Sequence, residues 1–180
     1  MPQVRVGPLA QLGSLRLYRM IERPIRARVV VASNRASAGV YADTSGPIIA
    51  ARLRELGCEV TGPEVVPDGE PVGVAIRAAV EAGVEVVITS GGTGISPTDH
   101  TPEVTRALLD YEVPGIADAV RAYGVRLLPT AMLSRGVAGV VGRTLVVNLP
   151  GSTGGAKDGM VVLGPVLRHA VDQLRGGDHP

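Results

Sequence analysis

A chain of 180 residues, 45% hydrophobic and 19% charged, is long enough to bury one substantial core and too apolar to be globally disordered. A formal charge of +1 gives no broad basic field and argues against a nucleic-acid partner, while Cys58, the single cysteine, excludes an intramolecular disulfide and a cysteine-cluster zinc site. Without Phe or Trp the core has to be filled by Val, Leu, Ile and Ala, which suits parallel strands covered on both faces by helices.

Residues 1–25 show no clean period, and Pro2, Pro8, Pro24 and several arginines interrupt the apolar positions. We read them as an extension outside the main fold, with Met20 as an alternative start. No continuous apolar stretch there resembles a secretory leader, and no run in the chain approaches the ~20 residues of a membrane-spanning helix. Cytoplasm is the expected location, with no membrane partner.

Arg28 to Ala32 reads as the first strand, apolar on both faces, and it opens into Ser33-Asn34-Arg35-Ala36-Ser37. Gly46-Pro47 starts a helix with Ile49, Leu53 and Leu56 on one stripe, and Gly57 ends it. Cys58, at the junction that follows, reads as a small apolar residue. Glu59 to Val66 is a strand that Gly62-Pro63 places near a sheet edge. It stops at Pro67-Asp68-Gly69. A second helix follows, with Val72, Ile76, Ala79 and Val80 inward.

Val84 to Ile88 is a short β-branched run that breaks into Gly91-Gly92-Thr93-Gly94 and a polar loop to Asp99. Glycines there let the backbone approach a ligand, and their amides suit an anion. Thr101-Pro102-Glu103 reads as a helix start with Thr101 as N-cap. Pro114-Gly115 breaks that helix, and Ile116 to Tyr123 form another. Thr130 to Val141 and Thr144 to Leu149 are predicted strands joined antiparallel through Gly142-Arg143. Pro150-Gly151-Ser152 then leads into helical material to about Leu174, broken near Gly164-Pro165. The alternation predicts one three-layer α/β/α domain over residues 26–176, with a mostly parallel sheet carrying an antiparallel hairpin strand, and a tail over 177–180.

Four polar stretches each follow a predicted strand: Ser33-Asn34, Pro67-Asp68, Gly91 to Asp99, and Pro150-Gly151-Ser152. In an open parallel sheet those ends share one edge, where ligands bind. Asp68 and Asp99 would then serve one ligand, and Asp99 is a candidate metal ligand beside the loop's phosphate donors. Blander roles stand beside these. Asp68 sits in an ordinary Pro-Asp-Gly turn, and Asp99 is placed to accept backbone N–H groups before a helix. Ser152 suits a helix N-cap as well as an anion site. Arg135 suits either an anionic ligand or a surface carboxylate. His100, His169, His179 and Lys157 read as solvated side chains.

Taken together, Ser33-Asn34-Arg35-Ala36-Ser37-Ala38-Gly39-Val40-Tyr41, Pro67-Asp68, Ser90-Gly91-Gly92-Thr93-Gly94 through Asp99, Thr101-Pro102-Glu103, Leu133-Ser134-Arg135 and Asn148-Leu149-Pro150-Gly151-Ser152 resemble the MoaB/Mog family of molybdenum-cofactor biosynthesis proteins, from about Arg28 to Leu174. The resemblance implies a molybdopterin-binding α/β/α domain, homotrimeric or a dimer of trimers. Active members transfer AMP from Mg-ATP to the terminal phosphate of molybdopterin and release pyrophosphate. By motif, Asp68 and Asp99 match the family's catalytic acids, and the resemblance implies them as Mg2+ ligands. Gly91, Gly92, Thr93 and Gly94 match its ligand loop, and Ser134 falls at a substrate-binding position. Ser33, Asn34, Pro150, Gly151 and Ser152 complete the expected site. Many members have Asp where this chain has Asn34, and its Pro-Gly-Ser-Thr ending resembles the MoaB side. A non-catalytic molybdopterin carrier of the MoaB type is the alternative.

Overall fold

The computed structural model describes residues 23–177. Met20, nearly all of the expected extension, and the tail beyond Gly177, with His179, lie outside the described residues. Those described form a six-stranded sheet in the order β2-β1-β3-β6-β5-β4, between two layers of helices. This is the mostly parallel α/β fold with an antiparallel hairpin that the alternation of elements predicts.

The strands are β1 (Ile25–Ala32), β2 (Cys58–Val66), β3 (Val86–Ser90), β4 (Tyr111–Glu112), β5 (Ala138–Val141) and β6 (Thr144–Leu149). β2, β1, β3 and β6 run parallel, and only β5 is reversed, paired antiparallel to β6 on one side and to β4 on the other. β2 lies at an edge, as Gly62-Pro63 implied. Strand β1 begins three residues before the predicted start at Arg28. Its arginines masked the period: Arg26 donates to the Ala82 and Gly83 carbonyls and Arg28 pairs with Glu64, so Ile25, Ala27 and Val29 continue one buried face between them.

The helical segments are the single turn α1 (Asn34–Ser37), α2 (Ser45–Glu55), α3 (Glu70–Glu81), α4 (Thr101–Arg106), α5 (Pro114–Val125) and α6 (Thr153–Leu174), with a 3-10 turn over Pro129–Leu133. Period-2 alternation divides the sheet between two cores. Ile25, Ala27, Val29, Val86, Ile88, Leu145, Val147 and Leu149 face α2, α5 and α6. Val30, Ala32, Val87 and Val146 face α3, whose Val72, Ile76 and Ala79 are fully buried. Aliphatic side chains fill both layers with only Met160 and Cys58 beside them, and no aromatic ring enters either cluster.

Two predicted features are corrected. Thr130 to Val141 is not one strand. Pro129 sits in the first turn of the 3-10 segment, and beyond it the backbone N–H of Arg135 donates to the Thr93 carbonyl at 2.8 Å, which pulls the chain off the sheet until Ala138. Nor is the last helix broken, because α6 continues through Pro165. The carbonyl that Pro165 leaves without a donor belongs to Val161, whose side chain is exposed, so water can take its place, while Leu163 and Leu167 hold both flanking turns in the core.

Candidate active site

Parallel pairing brings four strand ends level. Ala32 of β1 is registered with Val66 of β2, Val31 with Ser90 of β3, and Ser90 with Leu149 of β6. The turns beyond them are stitched sideways: Ser33 N–H donates to Val66 O at 2.9 Å, Gly91 N–H to Leu149 O at 3.0 Å, and Ser90 Oγ to Pro150 O at 3.2 Å. Past this edge opens a cavity of about 730 Å3. Ser33, Asn34, Asp68, Gly91, Gly92, Thr93, Gly94, Asp99, Ser134, Pro150, Gly151 and Ser152 all line it, so every expected site residue meets in one place.

Glycine is required in the turn itself. Gly91 and Gly92 have φ of +99° and +63°, and a Cβ on Gly91 would stand 2.2 Å from the Ala32 carbonyl oxygen. A Cβ on Gly92 would stand 2.2 Å from Asp68 Oδ2, and one on Gly94 2.8 Å from Asp99 Oδ2. The two acids thus lie directly against the glycine turn. Among the described residues no carbonyl accepts from the amides of Gly92, Thr93 and Gly94, which leaves three donors for an anion.

The acids are held differently. Asp68 Oδ1 accepts from Gly69 N–H at 2.7 Å and from the buried Thr101 hydroxyl at 2.9 Å, and Oδ2 accepts from His100 N–H at 3.2 Å. Thr101 is therefore not the N-cap of α4; His100 occupies that position, and the Thr101 hydroxyl is spent on Asp68. Asn34 Oδ1 accepts from Asp68 N–H at 3.0 Å. An amide oxygen can accept that bond without the charge of a carboxylate, so Asn34 keeps Asp68 in register. Asp99 Oδ2 accepts only from Ser96 N–H, at 3.1 Å, and its Oδ1 takes no bond from the described residues. Ser152 does cap α6, accepting from Gly155 N–H at 3.0 Å.

Arg135 resolves toward structure rather than ligand. Its guanidinium pairs with Glu103 and donates to the carbonyls of Gly94 at 2.6 Å and Asp99 at 2.7 Å. His100 and Lys157 are exposed, and His169 meets Gln173 on α6.

The cavity also extends beyond the expected residues. Tyr41, Asp43, Arg121 and Asp158 join its polar lining, and Val120, Leu127, Leu128, Ala131 and Leu133 make an apolar wall. Tyr41 is fixed by its hydroxyl contact with Ser33 Oγ at 2.9 Å, and Asp43 caps α2 through Ser45 and Gly46. No local sequence signal marks the apolar wall, because it follows from α5 and the 3-10 turn folding over the edge.

Four aspartates and one arginine give the lining net negative charge. A polyphosphate ligand would need an accompanying cation there. Asp68 and Asp99 are hard oxygen donors suited to Mg2+. Among the described residues no group of three or more His, Cys, Asp or Glu is placed to hold a metal ion by itself.

Comparison with known proteins agrees with this geometry. A family model described as a probable molybdopterin binding domain matches residues 28–169. The chain is 40% identical over 156 residues to a molybdenum cofactor biosynthesis bifunctional protein of Chlorobaculum tepidum, covering 86% of this chain and 50% of that protein. It thus spans about half the length of that curated relative. It is 33% identical over 159 residues to the molybdopterin adenylyltransferase of Helicobacter pylori strain J99, covering 84% of this chain and 89% of the relative. Among solved structures, the molybdopterin biosynthesis Mog protein from Mycobacterium ulcerans superposes with a TM-score of 0.82 at 52% identity, covering 86% of this chain and 99% of that one. On motif, fold and these matches together, the chain belongs to the MoaB/Mog family of molybdopterin-binding domains.

Proposed function

We propose that this protein is a molybdopterin adenylyltransferase of molybdenum-cofactor biosynthesis, with ATP and molybdopterin as substrates and Asp68 and Asp99 as its catalytic acids. In the reaction an oxygen of the molybdopterin terminal phosphate forms a bond to the α-phosphorus of ATP, and the bond from that phosphorus to the leaving pyrophosphate breaks. No covalent protein nucleophile is needed. The observation that carries the reading is the placement of Asp68 and Asp99 against one glycine turn, 2.2 and 2.8 Å from the Cβ positions of Gly92 and Gly94.

The free amides of Gly92, Thr93 and Gly94 are placed to hold phosphate oxygens, and Asp68, fixed by three donors, keeps one orientation while the substrates bind. Magnesium, held by Asp68 and Asp99, would neutralise phosphate charge as two anions approach. The wall of Val120, Leu127, Leu128 and Leu133 offers apolar surface for a heterocycle, with Ser134 following Leu133 in the lining. The Helicobacter pylori relative, named for this activity, supports the assignment.

Incubating the purified protein with molybdopterin, ATP and magnesium is expected to give adenylylated molybdopterin and pyrophosphate in equal amounts. Molybdopterin bound without product would leave the carrier alternative. Among the described residues no helix is long and apolar enough to cross a membrane; cytoplasm is the location we propose. The resemblance further implies a homotrimer or a dimer of trimers.

A further inference from the structure

The loop from Gly94 to Asp99 carries one of the two acids on little internal structure. Ile95, Ser96, Pro97 and Thr98 are exposed. Within the loop, Asp99 N–H donates to Ser96 O at 2.9 Å, Asp99 Oδ2 accepts from Ser96 N–H, and the Ser96 and Thr98 hydroxyls meet at 3.1 Å. All of these bonds move with the loop. Among the described residues, its only hydrogen bonds to the rest of the protein come from Arg135: Nε to the Gly94 carbonyl at one end, and Nη2 to the Asp99 carbonyl at the other. The Arg135 backbone N–H holds the preceding residue, through Thr93 O at 2.8 Å.

Arg135 is itself anchored. Nη1 pairs with Glu103 on α4, and the backbone on either side is gripped by Arg121 of α5, whose Nη1 donates to Ser134 O at 3.4 Å and to Gly136 O at 2.9 Å. An ion pair as exposed as the one with Glu103 is worth little alone. The two carbonyl bonds are different, because charge-assisted donors in the fixed fork of a guanidinium set the direction of the groups they hold. Lysine has neither the fork nor the reach to satisfy Gly94, Asp99 and Glu103 together.

We infer that Arg135 is the positioning residue for Asp99: it spans the two ends of the acid-bearing loop and ties them to the Ser134 segment, so that the acid is aimed into the cavity before substrate arrives. This deepens the proposed adenylyl transfer and rests on it for its kinetic consequence only. Arg135 makes no part of the cavity lining, so its effect reaches the reaction through Asp99.

The test uses the full chain with Arg135→Gln and Arg135→Lys, measuring adenylyl transfer and native-state amide exchange over residues 94–99. Arg135→Gln is expected to lower kcat 30- to 100-fold with KM for ATP within about threefold of wild type, and to speed exchange at Asp99 at least tenfold. Arg135→Lys is expected to recover less than a tenth of the lost kcat. Full recovery by lysine would show that charge alone suffices, and unchanged exchange at Asp99 in both variants would show that the loop holds itself; either overturns the inference. If Arg135→Gln fails to fold, the lysine variant decides through the same two readouts. If the wild-type protein makes no adenylylated product, the activity reading fails by itself, and amide exchange still decides whether Arg135 sets the loop.

Discussion

Two carboxylates on one cavity are held by opposite means, and substitutions should separate them. Asp68 is gripped on both oxygens, so removing one donor should turn it without unfolding anything. Thr101→Val keeps the buried shape and deletes the hydroxyl bond; kcat is expected to fall roughly tenfold, about 1.4 kcal/mol of transition-state stabilisation, with the thermal midpoint within a few degrees. Thr101→Ser should restore most of it, and equal rates for Val and Thr would assign Asp68 no dependence on that bond. Asp99→Ala is expected to abolish turnover while molybdopterin binding persists, measured by titration of the pterin fluorescence. Gly92→Ala should cost ligand binding as well as turnover, because the added methyl meets Asp68 Oδ2 at a backbone φ that alanine resists. At this scale the sequence marked both acids and every glycine of the turn. It did not reveal the Thr101 bond, because Thr-Pro-Glu fits an N-cap equally well, and only a residue 33 positions away redirects the hydroxyl.

Among the elements, periodicity was enough wherever it ran uninterrupted. The α3 stripe and the all-buried β3 and β6 follow directly from apolar spacing. The 3-10 turn at Pro129–Leu133 and the two-residue β4 were not legible, since tertiary bonds from the Arg135 amide and from the Asp110 and Val113 amides to β5 define them. One long-range contact ties three elements. Arg175, just past α6, donates through Nε to Glu85 Oε1 at 2.8 Å and through Nη2 to Oε2 at 3.1 Å, and the Arg26 N–H of β1 donates to Oε2 at 3.1 Å. The Arg175 hydrogen bonds, outweighing the burial that opposes them, hold the Glu85 carboxyl below its ordinary range. A carboxyl so held binds its proton less tightly folded than unfolded. Its contribution is therefore complete above the unfolded value near pH 4.3 and is lost as pH falls through the depressed folded value. Glu85→Gln should destabilise the protein by roughly 1–2 kcal/mol at pH 7, and by progressively less as the pH drops below about 4, read from urea midpoints.

At the scale of the molecule, the convergence of four loops was readable because it follows from topology: β2, β1, β3 and β6 point the same way, so whatever follows each strand shares an edge. The breadth of the cavity was not, since its apolar wall comes from α5 and the turn after it. Leu127, Leu128 and Leu133 stand exposed along that wall and Met132 beside it, apolar surface that the proposed trimer would bury where a ligand leaves it uncovered. Sedimentation equilibrium at micromolar concentration is expected to return three or six times the chain mass, and a monomer would contradict that assembly. At the far end of the sheet, Cys58 opens β2 with its thiol buried, and burial pushes that thiol's pKa up. The protein thereby carries a native reporter: alkylation can proceed only when the β2 edge breathes, so a simple labelling rate counts those openings from a position remote from bound nucleotide. Protection of Cys58 by a ligand would measure how far stiffening at one margin spreads across the strands.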